Sequence, residues 1–583
     1  MVWDLFRDST FGQLVRLASG GRYFQYPEEK DHALLKKYVN EEKSGYMAHH
    51  GTTGPPEEGQ REELSSTRGV RAREADNTAG SLSSSRTQLP LDDTSSETGV
   101  NGASGVKVDP EKGKDRTVID WYGPDDPENP RNWSRGKRFF VTFEVVFLTF
   151  SVYIGSAIYT AGIMGVQEQF GVSQVAATLG LTLYVAGYGL GPMIWAPLSE
   201  IPYIGRSPIY IGTLFIFVMF QIPTAMAKNF GMLLAFRFLT GLFGSPALAT
   251  GGATIADMYR PKKQAYGLAI WGIGAVSGPV LGPLIGGFAV QAEGWTWTIW
   301  ELMWLSGVCW VFLVFLFPET SSTNILYRRT RRLRKLTGND KLTCEPEMMA
   351  EQMTGKDIVT MTFVRPITLN FTEPMVFLLN LYIALIYGLL YIWFESFPIV
   401  FIEIYGFNLG EEGLAFLGLL VGTIVTMCFL FTWLYFHQEK QFNDKGEIEP
   451  EKRLIPAMVG SFFVPICLFW FGWSARPSIH WIMPIVGSGF FGVAAFLLFN
   501  SVLPYLSDAY PNDVASIFAG NDLFRSAFGA GFPLFASAMY KTLGVGWASS
   551  LLAFLGVAFI PIPFLLYRYG ATLRKKSKHA KQF

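Results

Sequence analysis

The stretch that decides the fold reads Gly278-Pro279-Val280-Leu281-Gly282-Pro283-Leu284-Ile285-Gly286-Gly287. It lies inside an apolar segment that is long enough to cross a bilayer. Glycine and proline both destabilise a regular helix. A membrane helix seldom holds such a run unless it packs closely against a neighbour or serves as a moving joint. The run therefore indicates a transporter rather than a receptor or a membrane-bound enzyme.

Twelve apolar segments of this kind follow a polar N-terminal tail. Only 16% of the 583 residues are charged, against about 25% in average soluble proteins. Each segment has about 20 residues or more, as a bilayer crossing requires. We therefore predict an all-α membrane protein with twelve transmembrane helices. We call them spans 1 to 12, at residues 139–161, 174–197, 208–228, 231–258, 264–290, 297–317, 374–401, 413–436, 454–473, 479–506, 514–540 and 546–568.

The composition divides the chain into five parts. Residues 46–115 hold so few large apolar side chains that they cannot bury enough surface to fold, and we predict that they are largely disordered. Between Phe11 and Tyr26 we predict a short amphipathic helix that lies on the membrane or on the membrane helices. The parts are an N-terminal tail 1–137, a six-helix half 138–318, a central loop 319–373, a second six-helix half 374–568 and a basic tail 569–583.

Lysine and arginine are distributed unevenly between the two sets of loops. One set holds most of them, and the alternate loops hold only Lys228, Arg476 and Lys541. Because basic loops remain in the cytosol, we expect the basic set and both termini to be cytoplasmic. The basic run 328–335 beside span 6 predicts an anchor for the inner leaflet of the membrane.

An internal repeat supports two related halves. Span 4 ends in Ala256-Asp257-Met258-Tyr259, and span 10 ends in Ser507-Asp508-Ala509-Tyr510. The same offset places Gly278 of span 5 on Gly529 of span 11. Spans 4 and 5 thus correspond to spans 10 and 11, as a duplication of six helices requires.

Charged side chains inside the spans are candidates for chemistry, because a charge in the membrane is costly unless it has a partner or a wet cavity. Arg237 of span 4 is predicted either to line a cavity, where it would tune a carboxylate, or to form a packing ion pair. Asp257 is expected to hold the following loop through Arg260 or Lys262. A buried carboxylate can load and release a proton. The candidates for this role are Asp257, Glu144, Glu395 and Asp522. Asp522 shares a helix face with Arg525, three residues on, so this pair is expected either to take part in coupling or to neutralise itself as a gating or packing pair.

Aromatic side chains are predicted to line a cavity. Tyr387, Tyr391 and Glu395 share one face of span 7 at intervals of about one turn. A cavity with aromatic walls and few polar groups suits flat lipophilic ligands. The other predicted lining residues are Phe496, Phe499 and Asn500 of span 10 and Asn521 and Arg525 of span 11.

The turn between spans 2 and 3 combines an acid, a glycine and a base, at Glu200, Gly205 and Arg206. Such a turn can latch the helices together on the cytoplasmic side. An ordinary short turn would have the same composition, so both interpretations stay open.

Together these motifs resemble the major facilitator superfamily, and within it the fungal twelve-span drug:proton antiporters of the azole and benomyl–methotrexate resistance type. Arg237 with Phe236 and Gly241 matches the group's span-4 motif, whose arginine is implicated in proton coupling. The superfamily has an aspartate where this chain has Pro202, and the fungal subgroup shares this variant. The group's antiporter motif, G-P-x-x-G-P-x-x-G-G, is matched by Gly278, Pro279, Gly282, Pro283, Gly286 and Gly287.

The resemblance implies the major facilitator fold and a secondary active exporter of lipophilic drugs and toxicants, which exchanges them for protons by alternating access. No Walker A pattern is present, so ATP is not the expected energy source. The implied partners are small lipophilic substrates, protons and membrane lipids, without nucleic acid, cofactor or metal, for a monomer in the plasma membrane. An alternative is a permease for an endogenous polyamine, siderophore or secondary-metabolite toxin. A receptor or an enzyme is disfavoured, because no nucleophile–base or metal motif occurs.

Overall fold

A computed structural model describes residues 2–30, 116–444, 447–511 and 513–581. The segment 46–115, which is predicted to be disordered, lies outside them. Within the described residues the chain is almost wholly helical, with one sheet of two short strands.

The described residues contain eleven helical segments that are long and apolar enough to cross a membrane. The last of them, Ser516–Lys576, has 61 residues, about three times the length that one crossing needs. It is broken at Gly544, whose φ of 74° and ψ of 159° are not helical. The chain therefore forms two spans there, and the predicted all-α fold with twelve membrane helices is confirmed.

Spans 1, 2 and 4 begin at N-caps, where the side-chain oxygens of Ser134, Ser173 and Asn229 accept backbone hydrogen bonds. We call the membrane side where span 1 begins and span 12 ends the terminus side, and the opposite side the far side. Spans 1 to 6 are Arg135–Ala157, Gln174–Glu200, Ser207–Ala225, Phe230–Met258, Pro261–Glu293 and Thr296–Leu316. Spans 7 to 10 are Pro374–Ile404, Leu409–Gln441, Ile455–Ser474 and Ile482–Ala509. Spans 11 and 12 are the parts of Val514–Phe559 before and after Gly544, and span 12 continues into Pro561–Lys576.

Span 5 packs against span 1 along one face of glycines spaced four residues apart. A Cβ atom on Gly278 would lie 2.6 Å from the Cβ of Tyr153, and one on Gly282 would lie 2.7 Å from the Cβ of Ala157. At Gly286 the nearest atom would be a backbone oxygen of span 1 at 2.6 Å. The two helices therefore approach so closely that only glycine fits between them, as is common where membrane helices cross.

Span 5 remains one helix, Pro261–Glu293, although it contains Pro279 and Pro283. Each proline lacks an N–H donor and removes one hydrogen bond of the helix. The segment that carries the glycines thus has weakened internal hydrogen bonding, and its position depends on the helices that touch it.

The N-terminal helices, Val2–Asp8 and Thr10–Ala18, lie on the N-terminal half at its terminus side. The ring of Phe11 is 4.8 Å from that of Phe315 in span 6. The predicted helix in the tail therefore ends earlier than expected, at Ala18, and it lies on the membrane helices.

A second part of the tail pairs with the central loop. Strand β1, Thr117–Ile119, runs parallel to strand β2, Leu342–Cys344. Beside them lies a helix of the central loop, Ser322–Thr337, which we call the basic helix. Tail and loop thus form one layer on the terminus side.

The basic run 328–335 lies in the basic helix, and much of it binds acidic side chains of the tail. Arg329 donates to both carboxylate oxygens of Asp126, at 2.7 and 3.0 Å. Arg332 donates to Glu28 at 2.6 Å. The prediction of a lipid anchor is therefore wrong for these arginines, because acids distant in the sequence neutralise them.

Candidate transport pathway

A cavity lies between the two halves, and we call it the central cavity. Its walls are almost entirely apolar, as is usual for small-molecule sites. The predicted residues that line it are Tyr387, Phe496, Phe499, Asn500 and Arg525. The cavity is also lined by Tyr153 of span 1 and by Leu268, Trp271 and Gly272 of span 5, which no sequence pattern pointed to. The glycine–proline motif, which begins about two turns further along, was the feature of the sequence that could have placed span 5 beside the cavity.

Two predicted lining residues, Tyr391 and Asn521, do not line the central cavity. Tyr391 lies one turn nearer the far side, where its hydroxyl donates to the Oγ of Ser156 at 2.8 Å. The Asn521 amide donates to the Oδ1 of Asn380 at 2.8 Å, so it faces span 7. Helix periodicity gives the face of a residue but not the depth of the cavity along the helix.

An ion pair is embedded beside the central cavity. Arg525 donates through Nε to the Oδ1 of Asp522 at 2.6 Å, and both residues are buried. The Arg525 guanidinium lies 5.4 Å from the ring centre of Tyr387 and 5.9 Å from that of Phe499. The carboxylate and the two rings stabilise the cation, so the cavity presents aromatic faces and one weakly polar region.

Hydroxyl groups close the central cavity on the far side. Tyr188 of span 2 lies, oxygen to oxygen, 2.6 Å from Tyr387 and 2.8 Å from Tyr391, both in span 7. Thr182 of span 2 donates to the carbonyl of Ala530 in span 11 at 2.9 Å. Each contact joins one half to the other, and together they form a polar seal.

Glu395 extends this seal one turn beyond Tyr391. Its carboxylate oxygens accept hydrogen bonds from Thr178 at 3.3 Å and from Gln174 at 3.2 Å, both in span 2. The residue is 4% exposed and lines a cavity on the far side. Among the five residues predicted to take part in proton coupling, only Glu395 has hydrogen-bond partners in the opposite half within the described residues.

Spans 5 and 8 form a second seam between the halves. Gly287 packs directly against the carbonyl of Leu409, and a Cβ on Gly413 would lie 2.5 Å from the Cα of Leu284. The last motif glycine thus faces span 8, while the other three face span 1. The motif therefore places span 5 in close contact with its own half and with the other half at once.

The terminus side holds a larger, polar cavity of about 1570 Å³, which we call the terminus-side cavity. Spans 2, 4, 5, 10 and 11 contribute to its lining. Leu268 lines both this cavity and the central cavity, so the two adjoin. The seal closes the far side and the terminus-side cavity leaves the other side open. The structure is therefore in a conformation that is open towards the terminus side.

Asp257 borders the terminus-side cavity and forms an ion pair of 2.9 Å with Arg206, at the start of span 3. The expectation that Asp257 binds Arg260 or Lys262 is wrong. Arg260 turns instead to Asn132, to which it donates at 3.2 Å. Asp257 therefore ties two helix ends of its own half together rather than holding the following loop.

The second half repeats this pair. Asp508, the counterpart of Asp257 in the repeat, pairs with Arg453 at 2.9 Å. Both pairs line the terminus-side cavity. The duplication thus preserves an ion pair at the same place in each half.

The turn between spans 2 and 3 is held by an acid that sequence analysis did not single out. Glu319, just after span 6, accepts hydrogen bonds from the backbone N–H groups of Arg206 at 3.1 Å and Ser207 at 3.2 Å. Gly205 has a φ of +80°, and a Cβ there would lie 2.5 Å from the Oε2 of Glu319. Glu200, the predicted latch acid, is exposed and makes no hydrogen bond or ion pair with any described residue. Glu319 lies more than 100 residues after the turn, so the local sequence did not identify it as the acid that binds the turn.

Arg237 lies inside the N-terminal half and does not line the central cavity. Its guanidinium donates to the carbonyl groups of Gly155 at 2.9 Å and Gly180 at 3.0 Å. It lies 4.7 Å from the ring centre of Tyr159 and 4.4 Å from that of Tyr184. It is fully buried and has no ion pair in the part of the chain that the structure describes. Neither the predicted cavity charge nor the predicted ion pair is present, and Arg237 instead ties spans 1 and 2 to span 4.

Glu144 of span 1 is also inside the N-terminal half. It is 0% exposed, and neither carboxylate oxygen has a hydrogen-bond partner among the described residues. It does not line the central cavity. A ligand in that cavity would therefore not touch it.

Residues 145–531, more than half of the chain, match the Major Facilitator Superfamily. The chain belongs to the major facilitator superfamily. It is a multi-pass membrane transporter rather than an enzyme, and the resemblance seen in the sequence is confirmed.

Similar proteins come from other fungi. The chain is 48% identical to "Transporter mfs1" of Schizosaccharomyces pombe, over 79% of this chain and 88% of that protein. It is 43% identical to "Fluconazole resistance protein 1" of Saccharomyces cerevisiae, over 84% and 89% of the two chains. It is 42% identical to "Multidrug transporter FLR2" of Candida glabrata, over 82% and 83%. The similarity thus extends over most of each protein.

Proposed function

We propose that this protein exports lipophilic drugs and toxicants, azoles among them, in exchange for protons. The central cavity supports this function, because aromatic walls with one neutralised ion pair suit apolar ligands of varied shape. The names of the relatives, fluconazole resistance protein and multidrug transporter, agree with such substrates.

In this proposal the terminus side is cytoplasmic and the far side faces the outside of the plasma membrane. The excess of lysine and arginine in the terminus-side loops supports this orientation. A single chain surrounds the whole central cavity, so we propose that the protein functions as a monomer.

The observation that carries the proposal is the position of the central cavity between a far-side seal and a terminus-side cavity. A drug from the cytosol would enter through the terminus-side cavity and bind among the aromatic rings. Rocking of the two halves would then break the seal and open the same site to the outside. Span 5, which touches both halves, would be the contact about which they move.

Glu395 is the proposed coupling residue. As a carboxylate it accepts hydrogen bonds from Thr178 and Gln174 across the seal. Protonation removes the negative charge of the carboxylate, and hydrogen bonds to a charged group are about twice as strong as those between neutral groups. A proton from the outside would thus weaken the seal and favour release of the drug.

The test is growth of a yeast strain that lacks its own drug exporters. Expression of the wild-type chain should raise resistance to fluconazole and cycloheximide, and an uncoupler should abolish the resistance. Glu395→Gln should lose resistance, whereas Glu293→Gln, an exposed acid on the far side, should keep it. No resistance from the wild type at normal expression would refute the function, and full resistance from Glu395→Gln would refute the role of Glu395.

A further inference from the structure

The far-side cavity that contains Glu395 has a volume of about 1080 Å³, and we call it the vestibule. Its rim carries three exposed charged side chains, Glu168, Glu403 and Lys541. Deeper in the vestibule lie two buried carboxylic acids, Glu395 and Glu412, each 4% exposed. Glu412 lies in the first turn of span 8 and belongs to no motif of the sequence.

Among the described residues, the side chain of Glu412 has no partner. Its carboxyl group makes no hydrogen bond and no ion pair with any described residue, although it is more than nine-tenths buried. The helix start does not need it, because Glu411 and Asn408 already form a reciprocal capping box. An unpaired buried carboxylate is far more costly in its charged form than in its neutral form. Glu412 therefore has no evident structural role and reaches only the vestibule.

Glu412 is also located at the seam between spans 5 and 8. The next residue, Gly413, lies against the backbone of Leu284, and Gly410 lies against the ring of Phe288. Span 5 contributes no charged side chain to the lining of the vestibule. A gain or loss of charge on Glu412 would thus occur one residue away from the contact between the antiporter motif and the opposite half.

The charged groups around Glu412 come from several elements. Span 7 supplies Glu395 and Glu403, and the short helix Ile163–Phe170 supplies Glu168. The far-side end of span 11 supplies Lys541, the one cation that the described residues contribute. Acids therefore outnumber bases in the lining. The two buried acids, Glu395 and Glu412, thus line one cavity in which negative charge predominates.

We propose that Glu412 and Glu395 form one proton-binding site, loaded from the far side through the vestibule, in which Glu412 controls the seam with span 5 and Glu395 controls the seal. The inference rests on the proposed function, since it assigns the proton of that exchange to a pair of residues. Binding converts a carboxylate to a carboxylic acid with a proton from the outer solution, and deprotonation follows when the site faces the cytosol.

The test uses the purified full chain in lipid vesicles, with its terminus side outward and fluconazole as substrate. Wild-type protein should accumulate the drug when the lumen is acidic. Glu412→Gln should lose this accumulation yet still equilibrate the drug down its own gradient, because a neutral side chain uncouples movement from the proton. Glu412→Asp should restore accumulation, with an altered dependence on luminal pH.

The control is Glu411→Gln, a change at the adjacent exposed residue that keeps the capping box because glutamine caps as glutamate does. This variant should accumulate drug as the wild type does. Accumulation by Glu412→Gln at the wild-type level would overturn the inference. Equal loss of drug accumulation and of downhill drug movement in both Glu412→Gln and Glu412→Asp would also overturn it, because it would indicate a structural role. If drug accumulation by the wild-type protein did not depend on the pH gradient, the proposed exchange of drug for protons would be refuted, and not only the role of Glu412.

Discussion

The hydroxyl oxygens of Tyr188 and Tyr387 lie 2.6 Å apart and join the two halves directly above the central cavity. Tyr188 also lies 2.8 Å from the hydroxyl of Tyr391. Span 7 thus passes from the cavity through the seal to the vestibule along one face, with Tyr387, Tyr391 and Glu395 at successive turns. This geometry makes the seal a set of hydrogen bonds that can break one by one.

Tyr188→Phe should shift the protein towards the state that is open on the far side. It removes two hydrogen bonds, worth about 2 kcal/mol together, which changes the ratio of the two states about 30-fold. Distances between spin labels at Glu293 and Arg476, both exposed at the far side, should lengthen. Tyr184→Phe is the control, because the Tyr184 hydroxyl donates to the carbonyl of Val152 within its own half. The distances between the labels in this variant should match those in the wild type.

Gly282→Ala should destabilise the protein and reduce drug resistance. The added methyl group would lie 2.7 Å from Ala157, and such overpacking costs about 1–3 kcal/mol. The midpoint of thermal unfolding in detergent should therefore fall. Gly212→Ala in span 3, where no atom lies within 4 Å of the new Cβ, should leave the midpoint unchanged or raise it. Equal midpoints for the two variants would contradict close packing at the motif.

Arg237→Lys should lower the unfolding midpoint although it keeps the positive charge. An ammonium group lacks the planar fork that reaches the carbonyl groups of Gly155 and Gly180 together. The lost hydrogen bonds should cost about 2 kcal/mol. The pH dependence of transport by the folded fraction should stay unchanged, because Arg237 has no carboxylate partner among the described residues. A shifted pH profile at normal stability would show that Arg237 acts on the proton after all.

Asp126→Asn should loosen the tail from the basic helix. Burial alone would raise the pKa of Asp126, but the hydrogen bonds and charge of Arg329 outweigh burial and hold the pKa below its ordinary value. The stabilisation is therefore present above the ordinary pKa of about 3.9 and is lost as the pH falls below that value. Breaking a buried pair costs about 3 kcal/mol, so amide exchange in residues 117–129 should quicken about 100-fold at pH 7. Asp125→Asn, at an exposed neighbour, should not change it.

The membrane helices and the motif of span 5 could be predicted from the sequence because the bilayer acts on local composition. A crossing needs about 20 apolar residues, and a run of glycines in such a helix requires a close neighbour. The contacts of Gly278 and Gly282 with span 1 follow from that rule. The face of span 7 that Tyr387, Tyr391 and Glu395 share was also visible, since helical spacing fixes which side chains lie on one face.

The partners of the charged residues could not be predicted, because they depend on contacts between distant parts of the chain. Arg206 is bound by Asp257 and by the Glu319 carboxylate rather than by Glu200. Arg237 binds backbone carbonyl groups, which every residue has and no motif marks. Glu412 stands out only when burial and the absence of a partner among the described residues are both known.

The most direct test of the account is drug movement by the wild-type chain in lipid vesicles under an imposed pH gradient. With the terminus side outward and an acidic lumen, fluconazole should accumulate in the lumen while protons leave it, and an ionophore that dissipates the gradient should abolish the accumulation. Drug movement that is the same with and without the gradient would contradict proton-driven export.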